Sequence, residues 1–247
     1  MNGPDYIEGK NPVLELLRSK RPINKVLVAK GPADRATSEI IRLAKENGAP
    51  VEFVDKSILD KKSPSKKHQG VIALASQKEY SELEDLLEEA LKKNEKPLIV
   101  ILDGIEDPQN LGAILRSAEC AGAHGVVIAK RRAAQVTSSV SSASAGAVEY
   151  VKVARVVNIS ETIEKLKKTG VWVVGIEAGQ EKNYTDVDLN LPTAIVIGSE
   201  GKGLSHLVKE RCEVLASIPM KGKISSLNAS VATAVVLFEA VRQRTCP

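Results

Sequence analysis

Residues 195–205 read IVIGSEGKGLS, an apolar run that leads into a glycine-rich segment and then into the start of a predicted helix. The run is uniformly apolar rather than alternating, which is typical of a parallel strand covered by helices on both faces. Glycines at the carboxyl end of such a strand let the backbone approach a ligand closely, although a plain tight turn is the alternative. The glycine spacing matches neither a P-loop nor a dinucleotide-binding fingerprint. The stretch therefore predicts an α/β fold and leaves the ligand open.

The same pattern continues on both sides of this stretch. Apolar runs predict strands at 98–102, 125–129, 171–176, 194–198 and 214–218. Amphipathic patterns predict helices between most of them, at 110–121, 160–168 and 204–209. A Ser/Ala-rich patch at 137–147 fits a loop or a closely packed helix equally well. Residues 98–247 thus predict one domain built on a parallel sheet.

The first third of the chain predicts a smaller, separate α/β domain at residues 1–75. Its predicted strands are 25–29, 51–54 and 71–75, its predicted helices are 11–18 and one that ends at Asn47-Gly48, and residues 61–69 predict a basic loop. Residues 76–97 contain an amphipathic pattern, and we predict one helix over 78–96. This helix either connects the two domains or begins the second.

Charge is distributed unevenly along the chain. Residues 1–75 carry 14 Lys and Arg against 9 Asp and Glu, residues 76–98 carry 4 against 7, and residues 99–247 carry 17 against 15. A basic module beside a near-neutral one is typical of an attached polyanion-binding domain, although a solvated lysine-rich surface explains it as well. Aromatic residues make up 3% of the chain, which argues against a platform that stacks single-stranded bases.

The composition argues against several classes of protein. No run approaches the ~18 apolar residues of a membrane span, and residues 1–5 lack the apolar core of a signal peptide. Cys120, Cys212 and Cys246 are too few and too scattered for a disulfide framework, so we expect a cytoplasmic protein. Cys120 and His124 are four residues apart, but no second pair completes a four-ligand set, and we expect no metal site.

Two further segments carry polar residues beside predicted helices. Residues 107–118, DPQNLGAILRSA, predict a helix start whose core stripe is Leu111, Ile114, Leu115 and Ala118. Arg116 lies about 140° around the helix from Leu111, so it faces away from the stripe, where it is either solvated or able to clamp a phosphate. Residues 218–230, IPMKGKISSLNAS, place Ser226 and Asn228 before a helix that is apolar almost all round. Such a helix lies in the core or against a partner subunit.

In order and spacing, the three segments resemble the motifs of SpoU-type 2′-O-ribose methyltransferases of the SPOUT superfamily. The matching sequences are NLGAILR at 110–116, IGSEGKG at 197–203, and IPM and SSLNAS within 218–230. The likeness extends over residues 98–244. In the first domain, YIEGKNPV at 6–13 and KHQG at 67–70 resemble the substrate-binding domain of the same family, whose fold is like that of ribosomal protein L30e.

The resemblance implies an α/β, trefoil-knotted methyltransferase domain at 98–247, an L30e-like RNA substrate-binding domain at 1–75 and a connecting helix at 76–97. It implies S-adenosylmethionine as the cofactor, ribosomal RNA as the partner, and a homodimer formed through the C-terminal helix. It also implies methylation of a guanosine in the peptidyl-transferase region of 23S rRNA. The same reaction on transfer RNA, or a non-catalytic RNA-binding or ribosome assembly protein, are the alternatives.

The resemblance also assigns roles to residues. At the methyl donor it places Gly198, Ile218, Met220 and Leu227. The turn at 175–178 matches the family pattern more loosely. Those that it implies as catalytic polar residues are Asn110, Arg116, Glu200, Ser226 and Asn228. The family's arginine is often proposed as the general base, but a guanidinium is essentially always charged, so we interpret Arg116 as a clamp on the target phosphate. Ser226 and Asn228 would orient the donor or the ribose, and Glu200 would stabilise the loop or the guanidinium.

Overall fold

The computed structural model describes residues 4–19, 21–63 and 65–245. By their contacts these residues form two compact units. The first unit contains the chain up to Glu79 together with Val136–Tyr150, and the second contains Tyr80–Gln135 and the chain from Val151 onward. Cys246 lies outside the described residues.

The first unit is built on a four-stranded mixed sheet. Its strands are β1 (Asp5–Glu8), β2 (Ile23–Ala29), β3 (Val51–Val54) and β4 (Val71–Ala75). Their order is β1-β4-β2-β3, with β4 antiparallel to β1 and β2, and β3 parallel to β2. The strands predicted at 51–54 and 71–75 are confirmed with the same bounds, whereas β1, which reads DYIE, was not predicted because acids flank its two apolar residues.

The helices of the first unit follow its strands. They are α1 (Lys10–Arg18), α2 (Arg35–Glu46) and α3 (Lys56–Lys62). The Asp34 carboxylate caps α2 by accepting from the Thr37 amide at 2.9 Å, and α2 ends before Asn47-Gly48 as predicted. The predicted basic loop was wrong at its start, because α3 extends to Lys62 and is anchored by the buried side chain of Leu59.

The Ser/Ala-rich patch packs in the first unit, which contradicts its predicted place in the domain at 98–247. It forms a short helix, α6 (Ser138–Ala143), and a 3-10 turn at Ala147–Glu149, which contact β1 and α1 respectively. At Gly146, φ is +91° and a Cβ would lie 2.6 Å from the Glu15 side chain, so the small residue permits this close approach. Small side chains thus dock the segment on a neighbouring surface that is distant in sequence.

The second unit is built on a six-stranded parallel sheet. Its strands are β5 (Leu98–Asp103), β6 (Gly125–Ala129), β7 (Val153–Val156), β8 (Trp172–Ile176), β9 (Thr193–Gly198) and β10 (Val214–Ala216). Their order is β10-β8-β9-β5-β6-β7, and every neighbouring pair is parallel. Leu98–Leu102 and Ala194–Ile197 are buried, as expected for strands covered on both faces. Each predicted strand is confirmed to within two residues at its ends; β7 was not predicted.

Helices pack against both faces of this sheet's strands. They are α4 (Leu83–Lys92), α5 (Pro108–Cys120), α7 (Ile159–Lys168), α8 (His206–Arg211) and α9 (Ala229–Thr245). The helix predicted over 78–96 is shorter, because Asp85 accepts from the Glu82 amide at 2.8 Å at one end and Asn94 adopts a φ of +54° at the other. Leu83 and Leu86 lie in the core of the second unit, so α4 begins that unit rather than linking two domains.

The last helix, α9, buries one face and exposes the other. Thr233, Val236 and Ala240 are buried, and α9 packs chiefly against α5. Val231 and Phe238 are 48% and 50% exposed on its other side. Within the described residues, no helix combines the length and the apolar character needed to cross a membrane.

Candidate active site

The glycine-rich segment forms a tight loop at the carboxyl end of β9. Ser199 and Gly203 exchange backbone hydrogen bonds at 3.2 and 2.9 Å. A Cβ on Gly198 would lie 2.2 Å from the backbone of Gly203, so a side chain at position 198 would force the loop open. Gly198 is therefore needed for the loop backbone to fold back against the end of β9, whereas the sequence pattern predicts a close approach to a ligand.

Two carboxylates at the ends of the strands on either side of β9 bond the residues that end this loop. Asp103, the last residue of β5, accepts from the Ser205 amide at 2.7 Å. Glu177, which follows β8, accepts from the Leu204 amide at 2.9 Å and from the Lys209 ammonium at 2.7 Å. Both carboxylates lie at the carboxyl edge of the parallel sheet, where ligand sites of such sheets are found.

The three polar segments meet at the carboxylate of Glu200. Its Oε1 accepts from the Asn110 side-chain amide at 2.9 Å, from the Asn228 side-chain amide and from the Ala229 backbone amide at 3.3 Å. The Asn228 amide also donates to Asn110 Oδ1 at 2.9 Å. The structure thus brings Asn110, Glu200 and Asn228 together, although they are 118 positions apart at the extremes.

Asn228 also starts the last helix. Its Oδ1 accepts from the amides of Ser230 and Val231 at 2.9 and 3.3 Å. These bonds satisfy amides that have no partner within the helix, as an N-cap residue does. The negative charge of Glu200 lies at the same helix start, where the helix dipole favours it. The polar set and the start of α9 are one hydrogen-bonded unit.

A cavity of about 280 Å³ lies beside this set. It is formed by the turn after β8, the glycine-rich loop and the segment before α9. The predicted donor and polar residues in its lining are Gly198, Glu200, Ile218, Met220, Ser226 and Leu227. The loosely matched turn contributes Ile176, Glu177 and Ala178. Asn110 and Asn228 do not line the cavity and are joined to it by their bonds to Glu200.

Arg116 lies apart from the hydrogen-bonded set. The stripe predicted for α5 is confirmed, since Leu111, Ile114, Leu115 and Ala118 are buried, and Arg116 is exposed on another face as predicted. Within the described part of the chain, its guanidinium makes no hydrogen bond and no ion pair. From the sequence, we interpret Glu200 as stabilising either the loop or the guanidinium of Arg116. The hydrogen bonds of its carboxylate go to α5 and to the start of α9, and not to Arg116.

Cys120, Cys212 and the buried His124 of the second unit lie outside the lining of the cavity. Burial raises the pKa of the Cys212 thiol to about 12, and burial also raises that of Cys120, so neither is a thiolate at neutral pH. Over residues 4–19, 21–63 and 65–245, no three His, Cys, Asp or Glu side chains gather as a metal-binding group. His124 lies instead in a buried structural contact, its Nδ1 accepting from the Leu98 amide at 3.0 Å.

Asp103, Lys209 and Ser225 belong to the site but were not singled out from the sequence. Asp103 bonds the end of the loop, Lys209 bonds the Glu177 carboxylate, and Ser225 lines the cavity. One signal was available for Asp103, because it directly follows the predicted strand at 98–102, at the sheet edge where the loop also lies. Lys209 gave no signal, since a lysine on a short helix is usually solvated.

Comparison with known proteins decides the family. The model of the SpoU rRNA Methylase family matches residues 97–238. The chain belongs to the SpoU family of RNA methyltransferases. A second family model, described as RNA 2′-O ribose methyltransferase substrate binding, matches residues 6–81.

Individual SpoU relatives match almost the whole chain. YacO of Bacillus subtilis strain 168, assigned to the TrmH family of tRNA/rRNA methyltransferases, is 46% identical over 97% of this chain and 96% of its own. The SpoU methyltransferase AviRb of Streptomyces viridochromogenes, solved with AdoMet, has a TM-score of 0.83 at 27% identity, covering 99% of this chain and 92% of AviRb. An AdoMet-bound rRNA methyltransferase of Sinorhizobium meliloti has a TM-score of 0.79 at 26% identity, covering 99% and 88%. These likenesses confirm the α/β fold with a parallel sheet and a separate amino-terminal domain.

Proposed function

We propose that this SpoU family member transfers a methyl group from S-adenosylmethionine to a ribose 2′-hydroxyl of a guanosine in 23S ribosomal RNA, as RlmB does. The observation that carries the proposal is the set of Asn110, Glu200 and Asn228 at the wall of the cavity. A non-catalytic RNA-binding protein would not need polar residues from three distant segments beside a ligand-sized cavity.

The cavity residues suit S-adenosylmethionine. Ile197, Ile218 and Leu227 offer apolar surface to a flat base, while the backbone of the glycine-rich loop offers polar groups. Its volume of about 280 Å³ is close to the lower end of ligand pockets. When bound, the cofactor supplies a methyl group attached to a positively charged sulfur. The sulfur is the leaving group when an oxygen attacks the methyl carbon.

Glu200 and its partners would fix the wall against which donor and ribose align. In-line transfer needs the hydroxyl oxygen about 3–3.5 Å from the methyl carbon, so a wall that shifts by an ångström costs rate. Both ends of the Asn228 amide are engaged, by Glu200 and by α9, so we assign Asn228 to positioning. Ser226 lines the cavity directly, and we assign it to orienting the donor or the ribose.

Arg116 would hold the target phosphate. Its guanidinium is exposed and has no carboxylate partner within the part of the chain that the structure describes, so it is available for a bidentate phosphate contact. Because a guanidinium keeps its proton at physiological pH, we assign it to charge stabilisation and the loss of the hydroxyl proton to water.

The first unit would bind the RNA at one end of its sheet. The carboxyl ends of β1, β2 and β3 and the start of β4 lie at that end, where Glu8 pairs with Ile72 and Val28 with Val71. The connections there, and the first residues of the helices that follow them, carry Lys10, Lys30, Arg35, Lys56, Lys66 and Lys67 against two exposed acids, Asp34 and Asp55. Lys56, Lys66 and Lys67 have no carboxylate partner among the described residues. Unpaired cations of this kind contact phosphates.

The exposed face of α9 supports a homodimer. Val231 and Phe238 are apolar, half exposed and seven positions apart, so they lie on one side of the helix. Burial of these two side chains against a second copy of the chain would explain why the helix is apolar on both faces. The trefoil knot of the second unit, the L30e likeness of the first and a cytoplasmic location belong to the same proposal.

Mapping of 2′-O-methyl groups tests the activity and separates the substrates. Ribosomal and transfer RNA from cells with and without the protein are compared. Loss of one mark in 23S rRNA supports the proposal, and loss of a tRNA mark shifts the substrate to tRNA. Isothermal titration with S-adenosylmethionine is the second measurement, and the absence of binding would leave only an RNA-binding role.

A further inference from the structure

Glu177 connects three elements that surround the cavity. Its backbone amide donates to the Ala216 carbonyl at 3.0 Å, which ties it to the end of β10. One carboxylate oxygen accepts from Leu204 at the end of the glycine-rich loop, and the other accepts from Lys209 on α8. The side chain is only 15% exposed, so these bonds are made largely out of water.

The contact between Glu177 and the loop is close. At Gly203, φ is +65° and a Cβ would lie 2.6 Å from both carboxylate oxygens. The carboxylate therefore fills the space beside Gly203 and fixes the amide that follows it. Glu200, a residue of the same loop, ties the loop to the start of α9 through its own carboxylate.

We propose that Glu177 is a positioning residue for the methyl donor: its carboxylate holds the glycine-rich loop in the shape that closes the donor cavity. This inference rests on the proposed function for the identity of the ligand. The loop backbone forms one wall of the cavity, and Glu177 is the side chain that bonds its last amide. Releasing that amide lets the wall open, and the donor must then order the loop when it binds.

Three variants isolate this role. Glu177→Ala removes both bonds, whereas Glu177→Gln keeps an oxygen that can accept from the Leu204 amide. Glu213→Ala is the matched control, because the Glu213 carboxylate also accepts from a backbone amide of the second unit, that of Val173 at 2.7 Å, but does not line the cavity. Each variant is measured in the full-length protein for S-adenosylmethionine affinity by calorimetry and for amide hydrogen exchange without ligand.

We expect Glu177→Ala to weaken donor binding by about tenfold or more, as loss of hydrogen bonds to a charged group predicts. Exchange should speed up at residues 199–204 and remain unchanged in β5. Glu177→Gln should recover most of the affinity, and Glu213→Ala should keep it. An affinity for Glu177→Ala within twofold of the wild type would overturn the proposal.

Wild-type hydrogen exchange tests the contact even if Glu177→Ala does not fold. The Leu204 amide should be protected relative to the exposed amides of Gly201 and Lys202, and an unprotected Leu204 amide would overturn the proposal. A wild-type chain that protects Leu204 yet binds no S-adenosylmethionine would refute the proposed function and leave the loop contact intact.

Discussion

The side-chain amide of Asn110 donates to Glu200 Oε1 across 2.9 Å, joining the start of α5 to the loop after β9. The two residues are 90 positions apart, and neither helix propensity nor strand pattern relates them. The contact joins two separate sequence motifs at the candidate active site.

Replacement of this carboxylate should reduce turnover more than stability. In Glu200→Gln the side chain keeps its shape and loses its charge, and hydrogen bonds to charged groups contribute roughly 1.5–3 kcal/mol. We expect methyl transfer to RNA to fall about 10- to 100-fold, measured with radiolabelled donor. Glu210→Gln, which changes an exposed carboxylate on α8, is the control and should keep full turnover. Equal rates for the two variants would contradict a role for the polar set.

Arg116→Lys tests the phosphate clamp. The substitution keeps the positive charge and loses the planar fork that binds two phosphate oxygens. We expect turnover to fall by about tenfold or more while the melting temperature and S-adenosylmethionine affinity stay at wild-type values, because Arg116 is exposed and lies outside the cavity lining. Near-normal turnover would argue against a bidentate contact.

The basic end of the first unit should contribute to the salt dependence of RNA affinity. Lys66→Ala with Lys67→Ala removes two exposed cations, and each lost phosphate contact lowers the salt slope of RNA affinity by roughly 0.7–0.9. We therefore expect weaker binding of 23S rRNA fragments and a slope reduced by about 1.5, measured by filter binding over a salt series. Lys165→Ala with Lys168→Ala on α7 is the matched pair, and the same loss there would show that the effect is general charge.

The local parts of this structure were predictable from sequence, and the reasons are physical. Strands buried on both faces are uniformly apolar, so β6 at 125–129 matches its predicted range. The stripe on α5 follows from a period of 3.6 residues, and the exposed position of Arg116 follows from the same period. By contrast β7, which reads VARV, was not predicted because an arginine interrupts its apolar run.

The parts that depend on distant contacts were not predictable. The segment at 136–150 follows a strand of the second unit but packs in the first, and its own serines and alanines fit several environments. Glu177 and Asp103 become loop contacts only because parallel strands bring their carboxyl ends to one edge. The family resemblance implied that the motifs converge. It did not indicate which side chains bond the Glu200 carboxylate.

A buried ion pair holds the segment at 136–150 in the first unit. Replacing one member should lower the free energy of unfolding more than replacing the other. Arg21 and Glu149 are 8% and 1% exposed in their side chains and lie 2.9 Å apart; Arg21 also pairs with Asp5 at 2.5 Å. Arg21→Met leaves the Glu149 charge buried, which costs about 3–5 kcal/mol. Glu149→Gln keeps an acceptor for Arg21 and removes a carboxylate whose Oε2 has no partner among the described residues, so we expect a loss of only about 1–2 kcal/mol. Urea unfolding followed by circular dichroism measures both, and the reverse order would contradict the argument.

The buried histidine of the second unit predicts how stability depends on pH. Burial lowers the pKa of His124, outweighing the contact with Glu95 at 3.1 Å, so the folded chain holds His124 neutral while the unfolded chain protonates it near pH 6.5. The unfolded state then binds more protons, and the free energy of unfolding must fall as pH decreases through 6.5 toward the folded pKa, by at most about 1.4 kcal/mol per pH unit. His124→Asn keeps an acceptor for the Leu98 amide but cannot be protonated, so its stability should decline less between pH 7.5 and pH 5.5. Urea unfolding monitored by Trp172, the single tryptophan, which lies in β8 of the same unit, gives both curves. Parallel curves for the variant and the wild type would mean that other groups carry the pH dependence.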